Sequence, residues 1–171
     1  KLGYWNCVRF AADGEFKRRL IKVFGANRYV DLPSGPLSLP RQSVSSLTSS
    51  SAFGYNGFFM GARKEYVESL EYYHKCSRHL YYPYPVEGNL FPVPRPMWPN
   101  KAKGVRQFDE IIIGDFRLLQ GVDDPIWKEC EKSLANASKT IGLVQVYVYN
   151  LNADMQVHES VRQYIDGETI Q

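Results

Sequence analysis

Apolar residues recur at Phe16, Leu20, Val23 and Phe24, the i, i+4, i+7, i+8 spacing of one helical face. Lys17, Arg18, Arg19 and Lys22 fill the remaining surface, so the pattern predicts a short basic amphipathic helix. Gly25 stands where such a helix closes in left-handed backbone. Asp13 then falls at, or one residue before, the helix N-terminus. Asn27–Leu32 reads as a short strand, and Pro33, Gly35, Pro36 and Pro40 interrupt any regular structure after it. The serine-rich run 43–51 leads straight into Phe53, Tyr55, Phe58, Phe59 and Met60. Such an aromatic cluster packs on something, which predicts an ordered surface loop instead of a linker. From Ala62 to Cys76 the helical period returns. Tyr66, Val67, Leu70, Tyr73 and His74 share one face, while Arg63, Lys64, Glu65, Glu68 and Glu71 share a face expected to be wet. Glu71 and Lys75 are an i, i+4 pair.

Six prolines between Pro83 and Pro99, interleaved with aromatics, predict an extended strap lying on a surface. A boundary is expected near Pro99–Gly104. Beyond it Ile111-Ile112-Ile113, within Phe108–Gly114, has the continuous β-branched character of a strand buried in a parallel sheet. Asp124-Pro125 is a capped helix start, with Ile126, Trp127, Cys130, Leu134 and Ala137 on the inner face. Thr140–Tyr149 is a second strand, and the β-α-β order makes the two parallel. A last helix, about His158 to Ile165, stops at Gly167. Two parallel strands leave open edges, so the sheet is expected to continue past Gln171 and the chain to be a piece of a longer one. The fold class expected is α/β, with units at 1–80, 81–104 and 105–171.

Composition narrows the chemistry. A net charge of +3 over 171 residues is too mild to argue for nucleic acid, and the aromatics are not interleaved with a basic stripe. No apolar run approaches a membrane span of about 18 residues. Cys7, Cys76 and Cys130 lack metal-type spacing and read as reduced, mostly buried thiols, which favours a cytoplasmic setting. His74 and His79 are five apart, off the spacing of a helical metal pair. Asp13 carries two readings. It caps a helix, or it is an ionised general base pointing into a cleft. Glu15 sits roughly 200° further round a regular helix and joins such a site only if the first turn is irregular.

The run Gly3-Tyr4-Trp5 through Val8-Arg9, Ala12-Asp13-Gly14-Glu15-Phe16, Arg19-Leu20 and Phe24-Gly25 resembles the acceptor-side segment of family 2 glycosyltransferases of GT-A type. There a Glu-Asp-x-Asp type motif opens a helix. Here Ala12 takes the Glu place, Asp13 the Asp place and Glu15 the second acid, so the sequence departs at Ala12. The resemblance implies Asp13 as the base that deprotonates the acceptor hydroxyl. It extends through Ser46-Leu47-Thr48, Arg63-x-x-Tyr66-Val67, His74 and Leu80–Pro85 to Phe91-Pro92-Val93-Pro94. Phe108 to Leu118 looks like the opening of a second, Rossmann-like (GT-B type) transferase domain, although Gln120-Gly121-Val122 stands where Gly-Gly-Thr is usual.

What the resemblance implies is part of a multidomain bacterial enzyme of surface polysaccharide synthesis. It would move a sugar from a nucleotide-sugar donor to a glycan or glycolipid hydroxyl. A divalent metal, Mg or Mn, is expected in the full enzyme, with its Asp-x-Asp ligands upstream of Lys1, and this segment alone is expected to be inactive. Asp13 and Glu15 are the catalytic candidates. Arg18, Arg41, Ser46, Thr48 and His74 are candidate substrate contacts, and Arg19 is a further source of positive field. A non-catalytic glycan-binding or assembly module is the rival reading, resting on the aromatics from Tyr81 to Trp98. A conventional small-molecule enzyme is the third.

Overall fold

The computed structural model describes every residue except 37, 38, 40–42, 44, 45, 51, 87, 101–103, 119–124 and 153, together with the side chains of 125 and 126. Arg41, the 120–122 loop, the Asp124 cap and the middle of the expected boundary therefore lie outside the described residues. The chain is mixed helix and strand with a small two-stranded parallel sheet. Its helices are α1 (Ala12–Phe24), α2 (Tyr55–Phe59), α3 (Ala62–Cys76), α4 (Pro125–Leu134) and α5 (Glu159–Arg162). Its strands are β1 (Glu110–Gly114) and β2 (Ile141–Gln145). Among the described residues no helix is long and apolar enough to cross a membrane.

The first core gathers around α3. Tyr66 and Leu70 from its apolar face meet Phe53 and the strap residues Tyr82, Phe91, Val93 and Met97, all buried. The proline-rich strap thus supplies a wall of the core. Prolines hold its backbone extended while the residues between them turn inward. The chain's start is tied to the same strap, since Tyr4 N–H donates to Tyr82 O at 2.9 Å and Tyr82 N–H to Leu2 O at 3.0 Å. Gly3 has φ 74°, and a Cβ there would lie 1.9 Å from the Tyr82 carbonyl oxygen. Only glycine permits that approach.

β1 and β2 pair in parallel, Glu110 opposite Ile141 and Gly114 opposite Gln145, with α4 between them in the chain. Leu134 of α4 packs with Ile141 and Ile170, and Ile112 and Leu143 face the same cluster. Ile170 makes a parallel bridge to Ile141, so the chain's end lies along the far edge of β2. Expectation and structure differ on the isoleucine run. Ile111 and Ile113 are 57% and 66% exposed, because α4 covers only one face of the two strands. The strand expected at 27–32 does not form. Ala26–Arg28 is a 3₁₀ turn followed by mostly exposed chain with no ladder partner among the described residues, and strand propensity without pairing does not make a strand. Ala137, expected on the inner face of α4, is exposed beyond the helix end, and of the cysteines expected to be mostly buried, Cys7 and Cys76 are exposed and Cys130 is half-buried.

The face of α3 expected to be wet is covered. Arg162 of α5 is buried against it, its Nη2 donating to Glu68 Oε2 at 2.7 Å and to Glu65 Oε2 at 2.9 Å. Burial alone would lower the Arg162 pKa, but the two carboxylates hold it above its ordinary value. Val157 N–H donates to Glu68 at 3.1 Å and Gln156 to Glu71 at 2.6 Å. Residues near the end of the chain are thereby bound to α3.

Candidate active-site cleft

Helix α1 sets the site. Its N-cap position is Ala11 in left-handed backbone (φ 62°, ψ 15°), with no side-chain cap. Asp13 is the second residue of the helix, so the capping role considered for it does not apply. The helix turns its polar side inward. Glu15 and Arg19, one turn apart, have no exposed surface, while Val23 and Phe24 of the predicted apolar stripe are 40% and 41% exposed. The Arg19 guanidinium accounts for this choice. Its Nε donates to Glu15 Oε1 at 2.8 Å, and its other nitrogens donate to the carbonyls of Leu2 and Tyr4, tying α1 to the chain's start. It also lies 3.6 Å from the centroid of the Tyr82 ring.

His74 completes the buried group, with Nε2 at 3.2 Å from Glu15 Oε1. Burial raises the Glu15 pKa, but the hydrogen bonds from His74 and Arg19 outweigh it and hold the carboxyl below its ordinary value. The Tyr82 hydroxyl is buried beside this carboxylate without a hydrogen-bond partner among the described residues. Burial first, then the Glu15 charge, pushes its pKa far up. Glu15 and His74 were candidates for catalysis and substrate contact. The structure places both in this closed ion-pair network, on the opposite side of the first turn from Asp13.

Asp13 opens onto a cleft of about 810 Å³ whose walls include Trp5, Phe10, Phe58 and Phe59. Trp5 is braced by stacking on Phe16, ring centroids 5.0 Å apart and planes at 7°. Four cationic side chains line the cleft, and four acids face them. Lys64 is paired with Glu68 at 2.6 Å and Arg18 with Glu71 at 3.5 Å. Arg9 and Arg63 are half-buried, and neither makes an ion pair with a described residue. Arg63 lies over the rings of Phe10 and Phe58, 4.6 and 4.5 Å from their centroids, and donates once, to Phe53 O at 3.1 Å. Burial lowers its pKa, and the charge of Asp13 works the other way.

Of the remaining sequence candidates, Arg18 lines this cleft. Ser46 and Thr48 do not; their hydroxyls bond each other at 2.9 Å on a surface 3₁₀ turn. Arg9 and Arg63 were not among the candidates. Arg9 lies in the same run as Asp13 and so carried a signal; Arg63 stood in the Arg63-x-x-Tyr66-Val67 stretch of the resemblance but was placed on a face expected to be wet.

A buried ion pair and a second cavity lie beside the sheet, the cavity sharing Lys64 and Glu68 with the cleft. Asp115 and Arg117 follow β1 and form a buried pair at 2.6 Å. The bond from Arg117 holds the Asp115 carboxyl far below the usual range, against burial, with help from Gln145 and backbone N–H groups. Arg117 also donates to the carbonyls of Tyr149 and Asn152, so the pair ties down the chain after β2. A second cavity, about 470 Å³, lies between the open sheet face at Ile111 and Val144 and the start of α3. Its lining is mainly apolar, and the charged groups at its margin are already paired. Among the described residues no group of three His, Cys, Asp or Glu is placed to hold a metal ion. Comparison with protein-family models, curated proteins and solved structures finds no match for this chain.

Proposed function

We propose that the cleft beside Asp13 binds the acceptor in a glycosyl transfer, and that this chain is the acceptor-side portion of a GT-A type glycosyltransferase followed by a Rossmann-like unit. The observation that carries the reading is the exposed carboxylate of Asp13 in the first turn of α1, on the rim of a cleft with aromatic walls. A sugar offers an apolar C–H face to a ring such as Trp5 and hydroxyls to charged side chains. Asp13 takes the proton of the acceptor hydroxyl as its oxygen bonds to the anomeric carbon, and the nucleotide diphosphate departs with the electron pair of the broken bond. A positioned base contributes about 10²–10⁴-fold, or about 3–5 kcal/mol. The described residues do not fit the divalent metal that the resemblance implies, so the role assigned here is confined to the acceptor side.

The test is Asp13→Asn in the enzyme containing the donor-binding half, followed by transfer of labelled sugar. The reading expects kcat to fall by about 10²–10⁴ with the donor saturating and the fold intact. Asn occupies the same volume at the second helical residue, so unchanged turnover would leave Asp13 without a catalytic role.

A non-catalytic glycan-binding module is supported by a separate feature. Tyr4 and Tyr84 are 55% and 74% exposed with ring centroids 4.8 Å apart, an open aromatic ledge away from the cleft. Saturable glycan binding lost in Tyr84→Ala but kept in Asp13→Asn would favour it.

A further inference from the structure

Arg9 and Arg63 are the unspent charges of the cleft. A guanidinium has five N–H donors and stays protonated at any ordinary pH. Arg63 uses one donor on the Phe53 carbonyl, and the two rings it lies over offer no lone pair. The Arg9 side chain makes no hydrogen bond or ion pair with a described residue, although its backbone N–H is fixed to Met97 O at 2.8 Å. Half-burying a guanidinium without a carboxylate partner is unfavourable, and two of them lining one cleft mark a place prepared for an acceptor group from outside. The carboxylates that face them are Asp13 and Asp154; Glu68 and Glu71 are already engaged by Lys64 and Arg18. A simple anion would meet repulsion from Asp13 and Asp154. A molecule with both an anionic group and hydroxyl donors satisfies both sets at once.

We propose that the cleft takes an acidic sugar, its carboxylate or phosphate held by Arg9 and Arg63 and its hydroxyls directed toward Asp13 and Asp154. This rests on the glycan reading of the cleft and adds the substrate class to it. Arg63 is fixed by its rings and by Phe53, so it reads the position of the anion. Arg9 closes on it from the segment before α1.

The experiment uses the 171-residue chain and four probes: methyl glucuronide, methyl glucoside, glucose 6-phosphate and inorganic phosphate. Binding is followed by the indole N–H resonance of Trp5, assigned by its loss in Trp5→Phe. The proposal expects an acidic sugar to bind at least about tenfold more tightly than methyl glucoside and than inorganic phosphate. Preference for the glucuronide identifies a carboxylate, and preference for glucose 6-phosphate identifies a phosphate. Arg9→Gln and Arg63→Gln should each weaken that binding about ten- to hundredfold and leave methyl glucoside unaffected. Should Arg63→Gln misfold, Arg9→Gln and the unaltered protein decide. Raising salt from about 0.05 to about 0.5 M must weaken the acidic sugar and not the neutral one. Equal affinity for the neutral and acidic sugars overturns the acidic-sugar inference while the glycan reading stands. Inorganic phosphate binding as tightly as either acidic sugar overturns the sugar part. No perturbation by any probe overturns the inference and the glycan reading together.

Discussion

A carboxylate with no exposed surface persists only where charge and hydrogen bonds replace lost water, and Glu15 has both from Arg19 and His74. Glu15→Gln keeps the shape but strands the guanidinium of Arg19. It is expected to cost about 3–5 kcal/mol, read from the urea midpoint at neutral pH. The pH dependence follows in sign. The Glu15 carboxyl titrates below its ordinary 4.5 in the fold, so its contribution is fully present above that value. It is lost as pH falls through the lower, folded value. Stability should therefore be level near neutrality and decline below about pH 4.5, more steeply in the parent than in Glu15→Gln. A decline of equal slope in both would remove Glu15 from the acid response. None of this was legible in the residues alone. Arg19 read as part of the basic surface of the helix and Glu15 as a catalytic candidate, because a periodicity of apolar positions does not register a buried ion pair. The helix around Asp13 was legible from the glycine-closed pattern, but it starts a residue earlier than expected, so Asp13 lies inside its first turn and not at the cap.

Elements were legible where one face meets one core. The predicted helix from Ala62 to Cys76 has the bounds of α3, and the β-α-β unit has parallel strands as expected. Patterns failed where burial depends on a distant partner. Glu68 on the acidic side of α3 is buried because Arg162, some 90 residues on, packs there, and Ile111 and Ile113 are exposed because nothing described lies on them. Helix α2 is the element least expected from sequence and the one that shapes the cleft wall. It is short, and Gly57 sits where a Cβ would lie 1.9 Å from the Ala52 carbonyl oxygen. Gly57→Ala must push α2 away from that turn. A loss of about 1–3 kcal/mol or more in urea unfolding is expected, together with shifted resonances of Phe58 and Phe59. An unchanged midpoint would mean that α2 does not pack as described.

Across the whole molecule, the two hydrophobic clusters are joined by polar contacts that converge on α3. Arg162 is central, because Glu65, Glu68 and Ser69 all turn to one guanidinium. Lys64 adds a bond to Met155 O at 3.3 Å, and Lys75 pairs with Glu159 at the surface. Exposed pairs of the second kind contribute little. The buried one is different, since removing Arg162 leaves the buried carboxylate of Glu68 without that partner and beside the half-exposed Glu65. Parent protein is therefore expected to unfold in one transition, with far-ultraviolet circular dichroism and the fluorescence of Trp98 and Trp127 coincident; the first packs on the α3 core and the second on the sheet. Arg162→Met should lower the midpoint by an amount equivalent to about 3–5 kcal/mol and separate the two tryptophan signals, the Trp127 region melting first. That order follows from the small second cluster, in which a two-stranded sheet has one face open. If the parent already melts in two steps that Arg162→Met leaves unmoved, the halves are independent and the Arg162 contacts hold nothing together. Coincident signals that persist in the variant, at a lowered midpoint, would instead assign the coupling to the apolar contacts of the 92–94 strap, which lines the cavity between α3 and the sheet.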